Sequence, residues 1–429
     1  MAKLWKKSDT TLHPAVEKYA AGSDYVFDMQ LLPFDIAASR AHAKGLSKIG
    51  ILTEDEFTKV QNGLAALEKD LADGKIAITP EMEDCHTVIE NYLTETAGDV
   101  GKKIHTGRSR NDQVQTAVRL YMKQNLGVLR TATALLAGRF LDLAEKYAGM
   151  PMPGYSHTQQ AMLSSVGHYF AAFVESLLDD ADHLLQVAGQ IDKSPLGSAA
   201  GFGTSIPVDR ESTAKEMDFG GVQINSLYCQ NSRGKFESRY MEALAQIMLT
   251  LGRFANDMIL FTSKEFDFFA VDESLTTGSS IMPHKHNLDV MEILRGNVSV
   301  VIGNQLMIKD IAKNLLSGYH RDGQLMKKPL IESTQIVADS LAVTGVFLSG
   351  LTPKQESIRA KIQNDIFTAD IANERVIRER IPFRDAYKEA AYMVPLDVDL
   401  EKNIASKKGL GAPGNLALGV YRQRLKKML

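Results

Sequence analysis

Three long stretches without proline constrain the fold of this chain more than any other feature of its sequence. They run over Asp112 to Ala148, Thr158 to Asp192 and Lys235 to Ser263, and each is rich in Ala, Leu, Met, Lys and Glu. These residue types favour helix, so each stretch is predicted to form a single helix. At about 1.5 Å per residue, the first helix would be roughly 55 Å long, which exceeds the diameter of a small domain.

The apolar residues of the third stretch predict how these helices pack. They recur at alternating spacings of four and three, at Tyr240, Leu244, Ile247, Leu251, Phe254 and Met258. This spacing is typical of helices packed nearly parallel in a bundle. Further helices are predicted near Asp289 to Leu316 and Pro329 to Leu351, which gives about five helices in a central domain.

The segments that flank this centre have shorter helical runs. Glu54 to Asp73 is one of them, and the segment behind the centre is divided by Pro353, Pro382, Pro395 and Pro413. Because no sustained strand alternation occurs, the predicted fold class is all-α. The predicted protomer has three domains: an N-terminal helical domain at 1–110, a central long-helix bundle at 111–352 and a C-terminal helical domain at 353–429.

Charge, cysteine content and the N-terminus narrow the class of protein. The 429 residues carry a formal net charge of -3, so no basic excess predicts binding to nucleic acid or acidic lipid. Cys85 and Cys229 are far apart and predict neither a disulfide framework nor a thiolate metal site. The first residues, MAKLWKKSDTTLHP, include no apolar targeting region, and no apolar run approaches the roughly 18 residues of a membrane span. We expect a soluble, cytoplasmic protein.

The second long stretch bears on assembly. Its apolar residues occupy more than one face of the predicted helix, at Met162, Val166, Phe170, Phe173, Val174, Leu177 and Leu178. Such surplus apolar surface predicts a closed homo-oligomer. The alternative is that these side chains only fill a large core within the monomer.

A loop of unusual composition precedes the fourth predicted helix. The sequence GSSIMPHKHN, Gly278 to Asn287, combines glycine and two serines with the cation of Lys285 and the amide of Asn287. Removal of a proton next to a carboxylate creates extra negative charge, which donors of this kind stabilise. The alternative is a flexible connector that ends in a helix cap.

A second polar motif, HTGRSRNDQ at His105 to Gln113, precedes the first long helix. Its Arg108 and Arg110 can bind carboxylates in a bidentate manner, and the start of a helix favours anions. The alternative is a helix cap by Asn111 or Asp112 with solvated arginines, which leaves the density of donors unexplained.

Three more motifs add candidate residues. PGYSHTQQA places Ser156 and His157 before the second predicted helix, where histidine suits proton transfer but is also a common cap or core hydrogen-bonding residue. GYHRDGQLMKKP supplies Tyr319, Gln324 and Lys327, and EDCHTVIE supplies Asp84, His86 and Thr87. The histidines form no HExxH or comparable pair, so neither a metal nor a cofactor is expected.

Together these motifs resemble a known family. GSSIMPHKHN is similar to the signature loop GSSxMPxKxN of the fumarase and aspartase superfamily, whose members release fumarate or a close relative. Within the superfamily, HTGRSRNDQ, PGYSHTQQA and PLGSAAGFGTSIPVDR (Pro195 to Arg210) resemble the argininosuccinate lyase family. The resemblance extends from about Leu4 to Leu351. It implies β-elimination of argininosuccinate to arginine and fumarate, in arginine biosynthesis, by a homotetramer with active sites shared between subunits.

The resemblance also assigns roles to residues. The catalytic group would be Ser279, His157, Lys285 and Glu292, with Glu292 orienting His157. We favour Ser279, helped by Lys285, as the base and His157 as the group that assists protonation of the guanidinium leaving group, but the reverse assignment stays open. The substrate-binding residues would be Asp24, Asp84, His86, Arg110, Asn111, Ser156, Asn287, Tyr319, Gln324 and Lys327, with Asp84 and His86 near the arginine portion.

Several positions depart from the family pattern. Asp24 stands where a serine is usual, while His284, His286 and Leu288 replace glutamine, lysine and proline in the signature loop. The string PHK, Pro283 to Lys285, resembles the corresponding loop of adenylosuccinate lyase. The segment NSLYCQNSRGKF, Asn225 to Phe236, lacks the acidic residues usual around its arginine, so only Arg233 matches the family pattern there. The alternatives are therefore an adenylosuccinate-type elimination, a catalytically inactive structural relative, and a helical scaffold without a pocket.

Overall fold

A computed structural model describes residues 13–429 of the chain. Most of the N-terminal sequence examined above for a targeting region, and the start of the family resemblance at Leu4, lie outside the described residues. Helices account for most of the described chain, so the predicted all-α class is confirmed.

The helices are, in chain order, α1 (Pro14–Ala21), α2 (Asp24–Lys48), α3 (Glu54–Ala72), α4 (Cys85–Ala97), α5 (Asp99–Lys102), α6 (Arg110–Lys146), α7 (Val166–Ile191), α8 (Arg210–Glu216), α9 (Ser226–Asn231), α10 (Lys235–Phe261), α11 (Asp289–Ala312), α12 (Lys327–Ser349), α13 (Gln355–Ala360), α14 (Thr368–Glu379), α15 (Phe383–Ala390), α16 (Leu400–Ser406) and α17 (Leu418–Met428). Short 3-10 helices cover Lys103–His105, Glu273–Leu275, Arg321–Met326 and Asn364–Phe367.

The strands within residues 13–429 form antiparallel two-stranded ribbons. They are β1 (Pro151–Ser156) with β2 (Gln159–Ser165), β3 (Phe269–Val271) with β6 (Leu351–Pro353), and β4 (Thr277–Gly278) with β5 (His286–Asn287).

Four of the five predicted long helices are confirmed. They are α6, α10, α11 and α12, and their ends differ from the predicted ends by four residues or fewer. All six residues of the predicted apolar seam in α10 are buried, with at most 1% of each exposed. The spacing of four and three therefore identified the buried face of this helix.

The prediction of a helix that begins at Thr158 was wrong. His157 and Thr158 have φ angles of 53° and 59° and form the two-residue turn between β1 and β2, and α7 begins only at Val166. Positive φ at both central positions is the geometry of the tight turn that suits the twist of a hairpin. The helix propensity of this segment alone cannot predict the hairpin, because β2 is stabilised by its pairing with β1.

The chain divides into two compact units. Unit 1 contains the described residues up to Val128 together with His183–Ala245 and Val300–Ile336, and unit 2 contains Leu129–Asp182, Gln246–Ser299 and Val337–Leu429. The division into domains at 1–110, 111–352 and 353–429 stays a prediction.

Unit 1 has an apolar core formed mainly by the three helices α2, α3 and α4. Leu32 and Ile36 of α2, Leu64 of α3 and Leu93 of α4 are all buried in one cluster. A threonine cap begins α3, where the Thr53 side chain accepts from Glu56 N and the Glu56 side chain accepts from Thr53 N. This reciprocal pair satisfies two backbone N–H groups that a helix start leaves free.

The core of unit 2 is rich in aromatic rings. The ring of Phe254 lies 5.1 Å from that of Phe140, 5.4 Å from that of Phe173 and 6.1 Å from that of Phe347, with edge-to-face geometry in all three pairs. Such contacts stabilise a core beyond the area they bury.

The apolar residues that suggested assembly need a new interpretation. Val166, Phe170, Phe173, Val174, Leu177 and Leu178 are buried within the chain itself, and Met162 lies on β2. These residues therefore fill a core, as the alternative interpretation held. Other apolar side chains of the long helices are exposed, including Leu135, Leu249, Ile293, Leu306 and Val346.

Among the described residues, one helical segment, 321–349, is long and apolar enough to cross a membrane, and 56% of its most apolar window is buried inside the protein. Core helices of soluble proteins meet the same criteria. Its Thr334 hydroxyl hydrogen bonds to the Tyr240 hydroxyl at 2.8 Å, and Ser333 accepts from Asn304 at 3.0 Å. Buried, satisfied polar groups of this kind are those of a protein core.

Replacement of Phe254 by alanine should lower the free energy of unfolding by about 3–5 kcal/mol, because it leaves a cavity between three other rings. Val420, which is 61% exposed on α17, provides the matched control, and Val420→Ala should change stability by about 0.5 kcal/mol or less. Urea unfolding measures both. Equal effects of the two substitutions would contradict the described core.

Candidate active site

A cavity of about 380 Å³ in unit 1 brings together eight of the ten predicted substrate-binding residues. These are Asp24, Asp84, His86, Arg110, Asn111, Tyr319, Gln324 and Lys327. The cavity is also lined by Glu17, Ala20, Glu83, Val114, Arg233 and Arg321. Its wall therefore carries both carboxylates and cations, from segments more than 200 residues apart in sequence.

Lys327 begins α12 and is buried between two carboxylates of α2. Its Nζ donates to Asp24 Oδ2 at 2.7 Å and to Asp28 Oδ1 at 2.5 Å. Burial alone would lower the pKa of Lys327, but the two carboxylates outweigh it and raise that pKa, so the amine stays charged. Burial and the neighbouring Asp28 raise the pKa of Asp24 to about 6, against the effect of Lys327.

Asp84 connects the start of α4 to Arg110. Its Oδ1 accepts from Thr87 N at 2.8 Å, which caps α4, and its Oδ2 accepts from Arg110 Nη1 at 2.9 Å. Arg110 Nη2 also donates to Thr87 Oγ1 at 2.9 Å. Both branches of the guanidinium are thus fixed, and this orientation directs Arg110 along the cavity wall. Burial would raise the pKa of Asp84, but His86 and Arg110 lower it.

His86 has a buried partner behind the cavity wall. Its Nδ1 lies 2.6 Å from Asp35 Oδ2, and Cys85 Sγ lies 3.7 Å from each of these two atoms. Among the described residues, these three side chains form the one group with the donor atoms for a metal within 4.8 Å of one another. A tetrahedral zinc site would separate the nitrogen and oxygen by roughly 3.3 Å, so the observed pair is a hydrogen bond.

Arg233 is a cavity residue that stayed outside the predicted set. Its guanidinium lies 5.1 Å from the centre of the Tyr319 ring, and no hydrogen-bond partner for its buried Nη1 occurs within residues 13–429. A Cβ at Gly323 would come within 2.8 Å of this guanidinium, so the glycine provides its space. An unsatisfied buried N–H is costly, which makes Arg233 a candidate to bind a substrate carboxylate.

Asp112 holds the two loops beside the cavity. Its Oδ1 accepts from Ser109 N at 2.9 Å, and its Oδ2 accepts from Gly197 N and Ala199 N, each at 2.9 Å. The carboxylate therefore joins the start of α6 to the segment Pro195 to Gly201. Arg108 is also buried here, where its Nη1 donates to Ser39 Oγ at 3.0 Å, so it supports the motif rather than lining the cavity.

Ser156 and His157 lie in unit 2, at the tip of the β1–β2 hairpin, and both are exposed. The hairpin is anchored through Gln160, whose Nε2 donates to Lys361 O at 2.7 Å and whose Oε1 accepts from Gln363 N at 3.1 Å. His157 has a φ of 53°, a conformation that side chains other than glycine rarely adopt. Such backbone strain clusters at functional sites.

The signature loop is closed by the short ribbon of β4 and β5, with Thr277 opposite Asn287 and Gly278 opposite His286. Ser279 Oγ accepts from Met282 N at 3.1 Å and from Ile281 N at 3.4 Å. Two backbone N–H groups therefore point at the hydroxyl oxygen and would stabilise negative charge on it. Lys285 lies farther along this exposed loop, and Glu292 is exposed in the first turn of α11.

The predicted catalytic residues do not meet within one protomer. Among the described residues, no hydrogen bond or ion pair joins His157 to Ser279, Lys285 or Glu292. The predicted orientation of His157 by Glu292 is therefore absent from the isolated chain and stays a prediction for an assembled state.

Comparison with known proteins places these motifs in a family. A family model described as Lyase matches residues 14–303. An argininosuccinate lyase of Thermotoga neapolitana is 41% identical over 91% of this chain and 97% of its own length, and one of Xanthomonas euvesicatoria is 38% identical over 98% of each. The chain belongs to the argininosuccinate lyase family. The predicted resemblance of the chain to this family is thereby confirmed, as is the prediction of a lyase.

A solved structure supports the fold of this argininosuccinate lyase family member. An EDDS lyase with bound formate matches with a TM-score of 0.79 at 23% identity, over 98% of this chain and 91% of that one. At this identity the likeness concerns the fold, and it confirms a helical architecture with a central bundle of long helices.

Asp28 and Asp35 are residues of the site that the motifs did not supply, whereas Arg233 lies in the motif NSLYCQNSRGKF but was not among the predicted binding residues. Asp28 lies one helical turn after Asp24, a spacing that places both on one face of α2 and could have revealed it. Asp35 lies in the apolar run LLPFDIAA, where a buried acid signals a partner but not its identity.

Asp112→Ala should lower the free energy of unfolding by about 3–5 kcal/mol, because three backbone N–H groups lose their acceptor. Asp112→Asn keeps one acceptor oxygen and should cost about half as much. Thermal unfolding of both variants checks this order. If the two variants were as stable as the unsubstituted chain, the loops would not depend on this carboxylate.

Proposed function

We propose that this chain is an argininosuccinate lyase, which splits argininosuccinate into arginine and fumarate by β-elimination. The observation that carries the proposal is the charge pattern of the unit 1 cavity. An amino-acid substrate with carboxylates, an ammonium and a guanidinium needs both signs of charge on one wall, and the cavity supplies both. Family membership supports the same reaction.

The acidic residues of the cavity suit the arginine portion. Asp24, Asp84, Glu17 and Glu83 all line it, and carboxylates bind guanidinium and ammonium groups well. The cationic side chains of Arg233 and Lys327 suit the carboxylates of the substrate. Neutral hydrogen-bonding groups are supplied by Asn111, Tyr319 and Gln324. No cofactor takes part in the proposed reaction.

The signature loop suits the role of proton acceptor. The amides of Ile281 and Met282 at Ser279 Oγ stabilise an alkoxide, and Lys285 on the same loop adds positive charge. Ser279 then removes the Cβ proton, and the electron pair left behind expels the guanidinium nitrogen to form fumarate. His157 assists protonation of the leaving nitrogen, while Ser156 and Asn287 hold the fumarate portion.

The proposed active form is a cytoplasmic homotetramer with active sites shared between subunits. No hydrogen bond or ion pair joins His157 to Glu292 within residues 13–429 of one protomer, so in the proposed tetramer the partner of His157 comes from a second subunit. The exposed apolar residues of the long helices, such as Leu249, Ile293 and Leu306, provide surface for such an assembly.

Adenylosuccinate is the alternative substrate, suggested by the PHK string of the loop. Adenylosuccinate carries neither the guanidinium nor the ammonium group that the four carboxylates of the cavity would bind. The cavity thus favours argininosuccinate.

Fumarate release, followed by ultraviolet absorbance with each substrate offered separately, tests the proposed function. We expect release from argininosuccinate and at least ~100-fold less from adenylosuccinate. The reverse preference would mean that the loop determines the substrate, and no release from either would indicate a structural relative.

Ser279→Ala should reduce turnover by at least ~10²-fold without a change in unfolding temperature, since a half-buried hydroxyl in a surface loop contributes little to stability. His157→Asn should behave similarly. After the two inactive variants are mixed and allowed to exchange subunits, activity should exceed that of either variant, because some sites then contain both intact residues. Absence of recovery after verified exchange would contradict shared sites.

A further inference from the structure

Asp35 is fully buried in α2 and has no role in the chemistry described so far, yet it makes the shortest contact of any group to His86. Its Oδ2 lies 2.6 Å from His86 Nδ1, and its Oδ1 has only a distant contact, with Gln113 Nε2 at 3.5 Å. Arg108, the nearest arginine, donates to Ser39 instead. The carboxylate is therefore directed at the imidazole.

The other nitrogen of His86, Nε2, makes no hydrogen bond within residues 13–429, because both hydrogen-bond contacts of the ring use Nδ1. His86 itself lines the cavity. A histidine held through one nitrogen presents the other in a fixed direction.

We propose that Asp35 is a positioning residue, which holds His86 through Nδ1 so that Nε2–H donates into the cavity to a carboxylate of the bound substrate. This inference rests on the proposed function for the identity of the substrate. It deepens that proposal by making His86 an anion-binding donor beside the carboxylates Asp84 and Asp24.

The charges around His86 agree with this role. Asp28 and Asp35 face it from α2 and Asp84 from the start of α4, while the neighbouring Cys85 is a buried thiol. Burial would lower the pKa of His86, but these carboxylates raise it, with Asp35 the largest contributor among them.

Cations also surround the pair. The positive charge of Arg108 favours the ionised form of Asp35, and that of Arg110 favours the ionised form of Asp84. His105 faces His86, but burial first and then these arginines lower the pKa of His105 to about 4, so it is neutral near pH 7. Of these two imidazoles, His86 is the one whose pKa is raised, so it holds its proton more strongly than His105 does.

The sign of the pH dependence follows. Because its pKa is raised, His86 keeps its Nε2 proton to a higher pH than a free imidazole does and loses it as the pH rises. Replacement of the Asp35 carboxylate lowers that pKa, so the loss of substrate affinity on the alkaline side should move to lower pH.

Asp35→Asn keeps the shape of the side chain and removes its charge. We expect KM for argininosuccinate at pH 7.5 to rise about tenfold with kcat changed less than about threefold, and the alkaline limb of kcat/KM to move down by about one pH unit. Cys85→Ala is the matched control, because it removes a buried neighbour of the same pair and leaves the pair intact. It should keep the pH profile of the unsubstituted enzyme.

A double-mutant cycle separates positioning from general damage. If Asp35 acts through His86, Asp35→Asn should add little to the KM of His86→Gln. Additive effects, or an Asp35→Asn enzyme with an unchanged pH profile, would overturn the proposal.

A measurement on the unsubstituted protein decides the matter even if Asp35→Asn fails to fold. Histidine labelled with ¹³C in the ring, assigned by comparison with His86→Gln, gives the titration midpoint of His86 by NMR. A midpoint above 6.5 supports the proposal, and a midpoint at or below 6.5 overturns it. Since this readout needs no turnover, it stands apart from the fumarate assay, whose failure would overturn only the proposed function.

Discussion

Compensation of buried charge is the constraint on which the site of this protein depends. Lys327, Asp28, Asp35 and His86 are buried at one wall of the cavity or behind it. An isolated buried charge costs several kcal/mol, so each must have a partner of opposite sign. The pairs Lys327–Asp28 and His86–Asp35 provide this, and as a consequence they fix Lys327 and His86, which line the cavity.

The same constraint explains why Asp24 can replace the serine usual in the family. Lys327 already has Asp28 as a partner, so a second carboxylate adds more negative charge than the amine balances. This imbalance, together with burial, raises the pKa of Asp24 to about 6. Near neutral pH the cavity therefore has a carboxylate that a cationic group of the substrate can neutralise, where a serine would offer only a hydroxyl.

Much of the fold and part of the site could be predicted from the sequence. The long helices α6, α10, α11 and α12 were predictable because their apolar residues recur at helical spacing over many residues, with no proline in α6, α10 and α11 and with proline only in the first turn of α12. The hairpin at His157 was not, since a strand is stabilised by a partner that local propensity does not include. Asp35 was missed for a similar reason: one acid in an apolar run gives no sign of the histidine 51 residues away that it binds.

The predicted substrate-binding residues were found through motifs, and eight of them proved to share one cavity, although spacing alone could not have brought Asp24 next to Lys327. The catalytic group differs, because no hydrogen bond joins His157, Ser279 and Glu292 within residues 13–429 of the single chain, and His157 and Glu292 are exposed. Their prediction depends on an assembly that the chain alone cannot contain. Family membership supports that assembly, and the exposed apolar residues of the long helices are consistent with it.

The most direct test of this account is a crystal structure of the Ser279→Ala variant with argininosuccinate bound. We expect the amino-acid end of the substrate to lie in the unit 1 cavity, with its ammonium near Asp24 or Asp84 and a carboxylate on His86 Nε2 or Arg233. The bond to be broken should lie beside residue 279 of a neighbouring subunit. Substrate bound away from this cavity, or a complete site within one subunit, would contradict it.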